Sequence, residues 1–178
     1  MEFSIGQKVA YPNQGICMVE QIEQKTLGDN VIRCYSLRVL SDNSTILVPM
    51  CNAENVGIRP IISTIQCKTL IGRLSKDFEE VSCDWKSRSR EFAEKLRSGD
   101  VFEAADVLKK LTFLSMEKKL SFREQTLMDK AKFLIVSELA NANAADEEAL
   151  ANEIDRLVSN ACKKHLASQP RVMSAAIH

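Results

Sequence analysis

The pattern of apolar residues changes near residue 60, and no fold of a single texture accommodates both halves of the chain. Before that point, short runs alternate from face to face as strands do. In residues 31–40, Tyr35, Leu37 and Val39 share one face, with Cys34, Ser36 and Arg38 opposite. In residues 45–50, Ile46, Val48 and Met50 share one face, with Thr45 and Leu47 opposite. Turn-forming residues separate the runs: Tyr11-Pro12-Asn13-Gln14-Gly15, Gly28-Asp29-Asn30 and Ser41-Asp42-Asn43. Such spacing predicts a small antiparallel barrel or curled sheet. Residues 16–22 alternate poorly, and their facing stays open.

After residue 60 the helix starts are marked chemically. Ser63-Thr64-Ile65-Gln66 and Ser121-Phe122-Arg123-Glu124 fit the capping box, and Asp100-Val101-Phe102-Glu103 is an Asp-headed variant. Asp84 can cap a helix beginning at Trp85, and Gly99 can end it in a left-handed conformation. These signals predict helices near 63–74, 85–97, 101–118, 122–141 and 146–165. Val101, Ala105, Leu108, Leu111 and Ser115 fall at the spacing of a core stripe. The expected architecture is α+β: a β-module over residues 1–59, then an all-α bundle of about five helices over 60–168. Ile58-Arg59-Pro60 joins them, and a disordered tail is expected from Gln169 onward.

Charge limits the partners. The 178 residues carry 24 Lys/Arg and 24 Asp/Glu, so net charge is zero and there is no global basic signature of nucleic-acid binding. The excess is local: residues 61–134 hold fifteen bases and twelve acids, while 135–155 hold acids alone. Six cysteines stand at 17, 34, 51, 67, 83 and 162 with no C-x-x-C pair and no nearby histidine, which argues against a zinc site. With no leader-like N-terminus and no run long enough to cross a membrane, they are expected to be reduced, in a cytoplasmic protein.

Enzyme chemistry finds little support. There is no phosphate-binding loop, no G-x-G-x-x-G, no H-E-x-x-H and no G-x-S-x-G. The only histidines are His165 and His178, and His165 is expected at the frayed end of the last helix. No catalytic residue, metal or cofactor is expected.

The sharpest feature is Asp84-Trp85-Lys86-Ser87-Arg88-Ser89-Arg90, which holds the single tryptophan at a helix start, followed by alternating cations. An exposed aromatic beside cations can wedge against bases while the cations hold phosphates. The competing reading is a core tryptophan, since Phe92 and Leu96 could share one apolar stripe with it; periodicity alone leaves both open. Lys118, Lys119 and Arg123 are further candidate DNA contacts, with a solvated helix face as the plainer reading. Lys109-Lys110, Lys130 and Lys132 flank them. In the β-module, residues 44–49 read as an edge strand, because Pro49 lacks an N–H. Leu47 would then either serve a partner strand or pack on the helices.

Taken in order, several segments resemble the CarD/CdnL family of bacterial transcription factors. These are Phe3-Ser4-Ile5-Gly6-Gln7-Lys8-Val9-Ala10-Tyr11-Pro12-Asn13-Gln14-Gly15, then Val48-Pro49-Met50-Cys51-Asn52-Ala53-Glu54-Asn55-Val56-Gly57-Ile58-Arg59, then Asp84-Trp85 with its bases, Glu94-Lys95-Leu96-Arg97-Ser98-Gly99-Asp100, and the stretches 120–132 and 137–140. The resemblance spans about residues 2–165. It implies an SH3-like, Tudor-like module that binds the β subunit of RNA polymerase. It also implies a helical domain that contacts promoter DNA at the upstream edge of the melted bubble, with Trp85 as a minor-groove wedge and without strong sequence specificity. Such a protein would be a monomeric, non-enzymatic regulator that stabilises the open complex. The expected DNA contacts are Trp85 and Arg90, which the resemblance supports, with Lys86 and Arg88 of the same segment and Lys118, Lys119 and Arg123 of the later basic run. The expected polymerase contacts are Thr45, Ile46, Leu47, Val48 and Pro49 of the edge strand, with Lys25 where relatives place a basic residue facing polymerase. Leu47 stands where some relatives carry an arginine, and Gln125 replaces a base found in some relatives. The same module occurs in the transcription–repair coupling factor, but this sequence has no helicase motor. The alternative function is a protein–protein adaptor whose helical domain binds another protein rather than DNA.

Overall fold

A computed structural model describes residues 2–168; the tail expected from Gln169 onward lies outside the described residues. The first segment forms five strands: β1 (Lys8–Tyr11), β2 (Gly15–Leu27), β3 (Asn30–Val39), β4 (Thr45–Pro49) and β5 (Arg59–Pro60). All paired neighbours are antiparallel, in the order β4-β3-β2-β1-β5, so β4 and β5 are the sheet edges. A 3-10 turn (Met50–Asn52) and the one-turn helix α1 (Ala53–Val56) carry the chain from one edge to the other. β5 straddles the module boundary expected after residue 59.

The poor alternation of residues 16–22 has a cause. The β2–β3 register shifts between Val19 and Gln21, a bulge that puts one extra residue on β2 and moves its inward face by one position. Ile16, Cys17 and Val19 are buried before it, and Ile22 is half-buried after it. Phe3, Val9, Cys17, Val19, Tyr35, Leu37, Val39, Val48, Ala53 and Ile58 form a core of their own. The buried Tyr35 hydroxyl accepts from the Phe3 N–H at 3.0 Å, which meets the polar requirement of that ring. Cys34 and Ser36, on the face opposite Tyr35 and Leu37, are buried too. β3 is an inner strand, and these short side chains lie between Gln21 and Glu23 of β2 and Leu47 and Pro49 of β4.

The bundle comprises α2 (Thr64–Ser75), α3 (Trp85–Arg97), α4 (Val101–Glu117), α5 (Phe122–Asn143) and α6 (Glu147–Ser168). Both expected capping boxes form, at Ser63/Gln66 and Ser121/Glu124. Asp84 accepts from the Lys86 and Ser87 N–H groups, and Asp100 from that of Phe102. The reciprocal half of the Asp100 box is absent, because the Glu103 carboxylate turns to Lys95 Nζ at 2.9 Å. α4 is the central helix. Its Val101, Ala104, Ala105, Val107, Leu108, Leu111, Phe113 and Leu114 are buried in a second core with residues of the other four helices. Ser115, expected in that stripe, is exposed, because the buried face drifts past it toward the helix end.

Two further expectations are corrected. Lys109 and Lys110 are not surface bases. Lys109 is 2 % exposed, donates to the Arg73 carbonyl at 2.7 Å and lies 5.8 Å from the Phe78 ring centre. Burial holds its ammonium below the ordinary lysine range. Nor is His165 at a frayed end: it is buried, stacked on Phe78 at 4.3 Å, with Nδ1 2.5 Å from Asp77 Oδ1.

Candidate nucleic-acid and polymerase interfaces

Trp85 is the first residue of α3, and its place follows from the cap. Asp84 in extended conformation ends the incoming loop, and its carboxylate takes two of the free N–H groups. The first buried apolar side chain of the helix is then Phe92, followed by Leu96. Trp85, nearly two turns ahead of Phe92, projects beyond the bundle and is 60 % exposed. This decides between the two readings of its periodicity. The Lys86 ammonium sits 5.7 Å from the Trp85 ring centre, so that cation already lies over an aromatic face.

A groove runs from Trp85 to the α4–α5 connection. Trp85, Ser89, Lys118, Lys119, Leu120, Ser121, Arg123 and Glu124 line it. Residues more than thirty positions apart in sequence are thereby brought together: one exposed indole faces three exposed cations. Lys86 borders the same indole. Arg90 is exposed one turn further along α3 and pairs with Glu94 at 3.0 Å. A surface pair of that kind is weak and can yield its arginine to a phosphate.

Arg88 is a correction. Its side chain is 3 % exposed and points into the protein, not toward a ligand. One nitrogen donates to the Ser82 carbonyl at 2.5 Å and another to Glu124 Oε1 at 2.8 Å. The other Glu124 oxygen accepts from the Ser121 N–H and hydroxyl at 2.9 and 2.8 Å. Burial alone would raise the Glu124 carboxyl. Hydrogen bonds from Arg88 and Ser121, with the charge of Lys118 nearby, outweigh it and bring the carboxyl down to about 2. Arg88 therefore ties three things together: the loop before α3, α3 itself and the cap of α5. It is the brace under the groove.

Phe122 escaped the sequence reading. It is the first residue of α5, 90 % exposed, beside Arg123. The signal was present: the capping box fixes Phe122 at the first helical position, two residues out of phase with the buried Glu124–Ala131–Ile135 line.

On the β-module, β4 pairs with β3 alone, so its outer backbone edge is free among the described residues. Leu47 is 48 % exposed, and Thr45 is exposed beside it, so this face of β4 is open to solvent. Ile46 and Pro49 are half-buried. Val48 is buried at 3 %, so its side chain belongs to the core and only its backbone can meet a partner. Lys25 pairs with Ile32 beyond the end of β4, is exposed, and lies 2.8 Å from Glu23.

The remaining chemistry is sparse. All six cysteines are free thiols; Cys51 and Cys83 are exposed and the other four buried. Burial, with a smaller push from the Asp42 carboxylate, raises the Cys17 thiol to about 11; burial likewise takes Cys162 to about 11. Among the described residues, no three His, Cys, Asp or Glu side chains group as metal ligands, and no helix is long and apolar enough to cross a membrane.

Two family models match in tandem. Residues 3–62 match the CarD-like/TRCF RID domain. Residues 69–155 match the CarD C-terminal domain. The chain belongs to the CarD-like family. Its β-module carries the first domain and α2 to the start of α6 the second, and membership makes it one of a family of transcription factors. The CarD-like chain is also 27 % identical over 137 residues to YdeB of Bacillus subtilis (strain 168), a candidate transcription factor; the match covers 77 % of this chain and 90 % of that protein.

Proposed function

We propose that this CarD-like protein binds the β subunit of RNA polymerase through the β4 edge and holds the upstream edge of the promoter bubble in the Trp85 groove. The observation that carries the DNA half is the groove itself, where an exposed indole faces Lys118, Lys119 and Arg123. Cations at that spacing can hold phosphates on either side of a groove, while the indole inserts between base steps that are already unstacked. Intact duplex must first pay for unstacking; a bubble edge has lost that stacking already. The protein therefore binds the open complex better than the closed one and shifts the equilibrium by that difference in affinity. No bond is made or broken. The corrected DNA-facing set is Trp85, Lys86, Arg90, Lys118, Lys119 and Arg123, with Phe122 added as a second exposed ring.

Polymerase contact falls to the Thr45–Pro49 edge and Lys25. An unpaired edge offers main-chain hydrogen bonds to a partner strand, and Leu47 adds an apolar contact where some relatives place a charge. The alternative, an adaptor whose helical domain binds protein, also suits exposed rings, but it gives the surrounding cations no role. The test is affinity for premelted-bubble DNA against matched duplex over a salt series, with wild type and Trp85→Ala. The account requires weak binding that falls with salt and a bubble preference that Trp85→Ala removes. Salt-independent binding without bubble preference would favour the adaptor.

A further inference from the structure

We propose that Arg59 and Glu138 form a latch fixing the angle between the β-module and the bundle, and that this angle lets the β4 edge and the Trp85 groove be occupied together. The second half rests on the functional reading above. The latch is a fork-to-fork pair. Arg59 donates to Glu138 Oε1 at 2.5 Å and Oε2 at 2.8 Å. The same guanidinium donates twice to the Gly99 carbonyl, at 3.2 and 2.7 Å, and Glu138 Oε1 also accepts from the Ile62 N–H at 3.0 Å. Glu138 is 3 % exposed.

A buried ion pair adds little stability over well-packed apolar residues, because desolvation offsets the attraction. What a bidentate pair adds is direction, since the planar guanidinium meets a carboxylate fork in few orientations. Only residues 61–63 lie between Pro60 and the start of α2, and the middle one, Ile62, is itself held by the same Glu138 carboxylate.

A second set of contacts acts at the same joint. The turn after β1 drives Pro12 against Gly99, where an added Cβ would lie 2.9 Å from Pro12 Cγ. Gly99 also has φ 78°, so it alone supplies both the left-handed turn and the room. From the same turn, Gly15 abuts Phe133 of α5, with the ring 3.0 Å from where a Cβ would stand.

The gripped points explain the consequence. Gly99 follows the end of α3, whose other end carries Trp85. Glu138 and Phe133 lie along α5, whose first turn carries Phe122 and Arg123. The joint therefore holds the two helices that present the groove, and a small rotation there becomes a large displacement about 20 Å away along α3.

Nature supplies the probes. Cys51 in the β-module and Cys83, two residues before Trp85, are exposed, while the other four thiols are buried. Spin labels on these two cysteines of the full chain report the inter-module distance without polymerase or DNA. We expect one narrow distribution for wild type and a clearly broader one for Glu138→Gln, Arg59→Ala and the milder Arg59→Lys, which keeps the charge but loses the fork. Near-ultraviolet circular dichroism on each variant separates a loosened joint from an unfolded chain, and Arg59→Lys serves if the others unfold. With the joint loosened, β-subunit affinity should stay within about twofold and open-complex lifetime should fall about fivefold or more, as expected when two tethered sites lose their alignment. A broad wild-type distribution, or variants as narrow as wild type, overturns the latch. Broadening without loss of lifetime overturns its functional role. A wild type that leaves lifetimes unchanged overturns the functional reading instead, whatever the distances show.

Discussion

Arg88 and Trp85 stand three residues apart on adjoining sides of α3, yet one is buried and the other exposed, and the difference lies in what each can reach. Trp85 opens the helix and stays 60 % exposed, whereas Arg88 meets Glu124, 36 residues further on. The run Lys86-Ser87-Arg88-Ser89-Arg90 reads as three equivalent cations, because a partner that distant leaves no local signal. Replacing Arg88 by Met would strand a buried carboxylate. We expect a loss of about 3–5 kcal/mol in denaturant unfolding, in contrast to near-neutral replacement of Lys118 or Lys119. Glu124 also sets a pH dependence. Its folded carboxyl, at about 2, lies below its ordinary 4.5, so the stability it contributes is complete above about pH 5 and is lost as pH falls toward 2. Acid titration of wild type against Glu124→Gln measures this: the stability difference between them should be constant above about pH 5 and shrink as pH falls toward 2.

At the scale of elements, the helices were legible because their starts carry chemistry that works locally. Ser63/Gln66, Asp84, Asp100 and Ser121/Glu124 each satisfy N–H groups within a few residues, and each marks a helix to within a residue or two. The strand β2 was less legible, since its bulge at Val19/Gln21 breaks the alternation that identifies a buried face. The two lysines of α4 misled for another reason: a long side chain can bury its stem and find a carbonyl that sequence spacing does not show. Leu111, fully buried at the centre of α4, is a direct test of the helical core. Leu111→Ala should cost about 2–5 kcal/mol in equilibrium unfolding. Leu47, exposed on the free edge, should behave oppositely. Leu47→Asp should leave stability nearly unchanged while weakening β-subunit binding about tenfold, about 1.4 kcal/mol, in a titration against the isolated subunit.

The whole molecule has no net charge, and that fact shapes how it can act. A patch of a few cations on a neutral protein gives little affinity for free DNA, so polymerase must supply the concentration. The joint that makes such tethering productive was invisible in the sequence, because Arg59 and Glu138 are 79 residues apart and each reads as an ordinary surface charge. The groove was half-visible: its cations and tryptophan stood out, but their convergence depends on how α3 and α5 pack. The central claim is that Trp85 acts on melted promoter DNA while the β-module holds polymerase. The most direct measurement is the lifetime of open promoter complexes formed by a bacterial polymerase that binds this protein, with wild type, with Trp85→Ala and with neither. Wild type should lengthen the lifetime, and Trp85→Ala should lose that effect while binding the β subunit as before. Equal lifetimes with wild type and Trp85→Ala would contradict the claim.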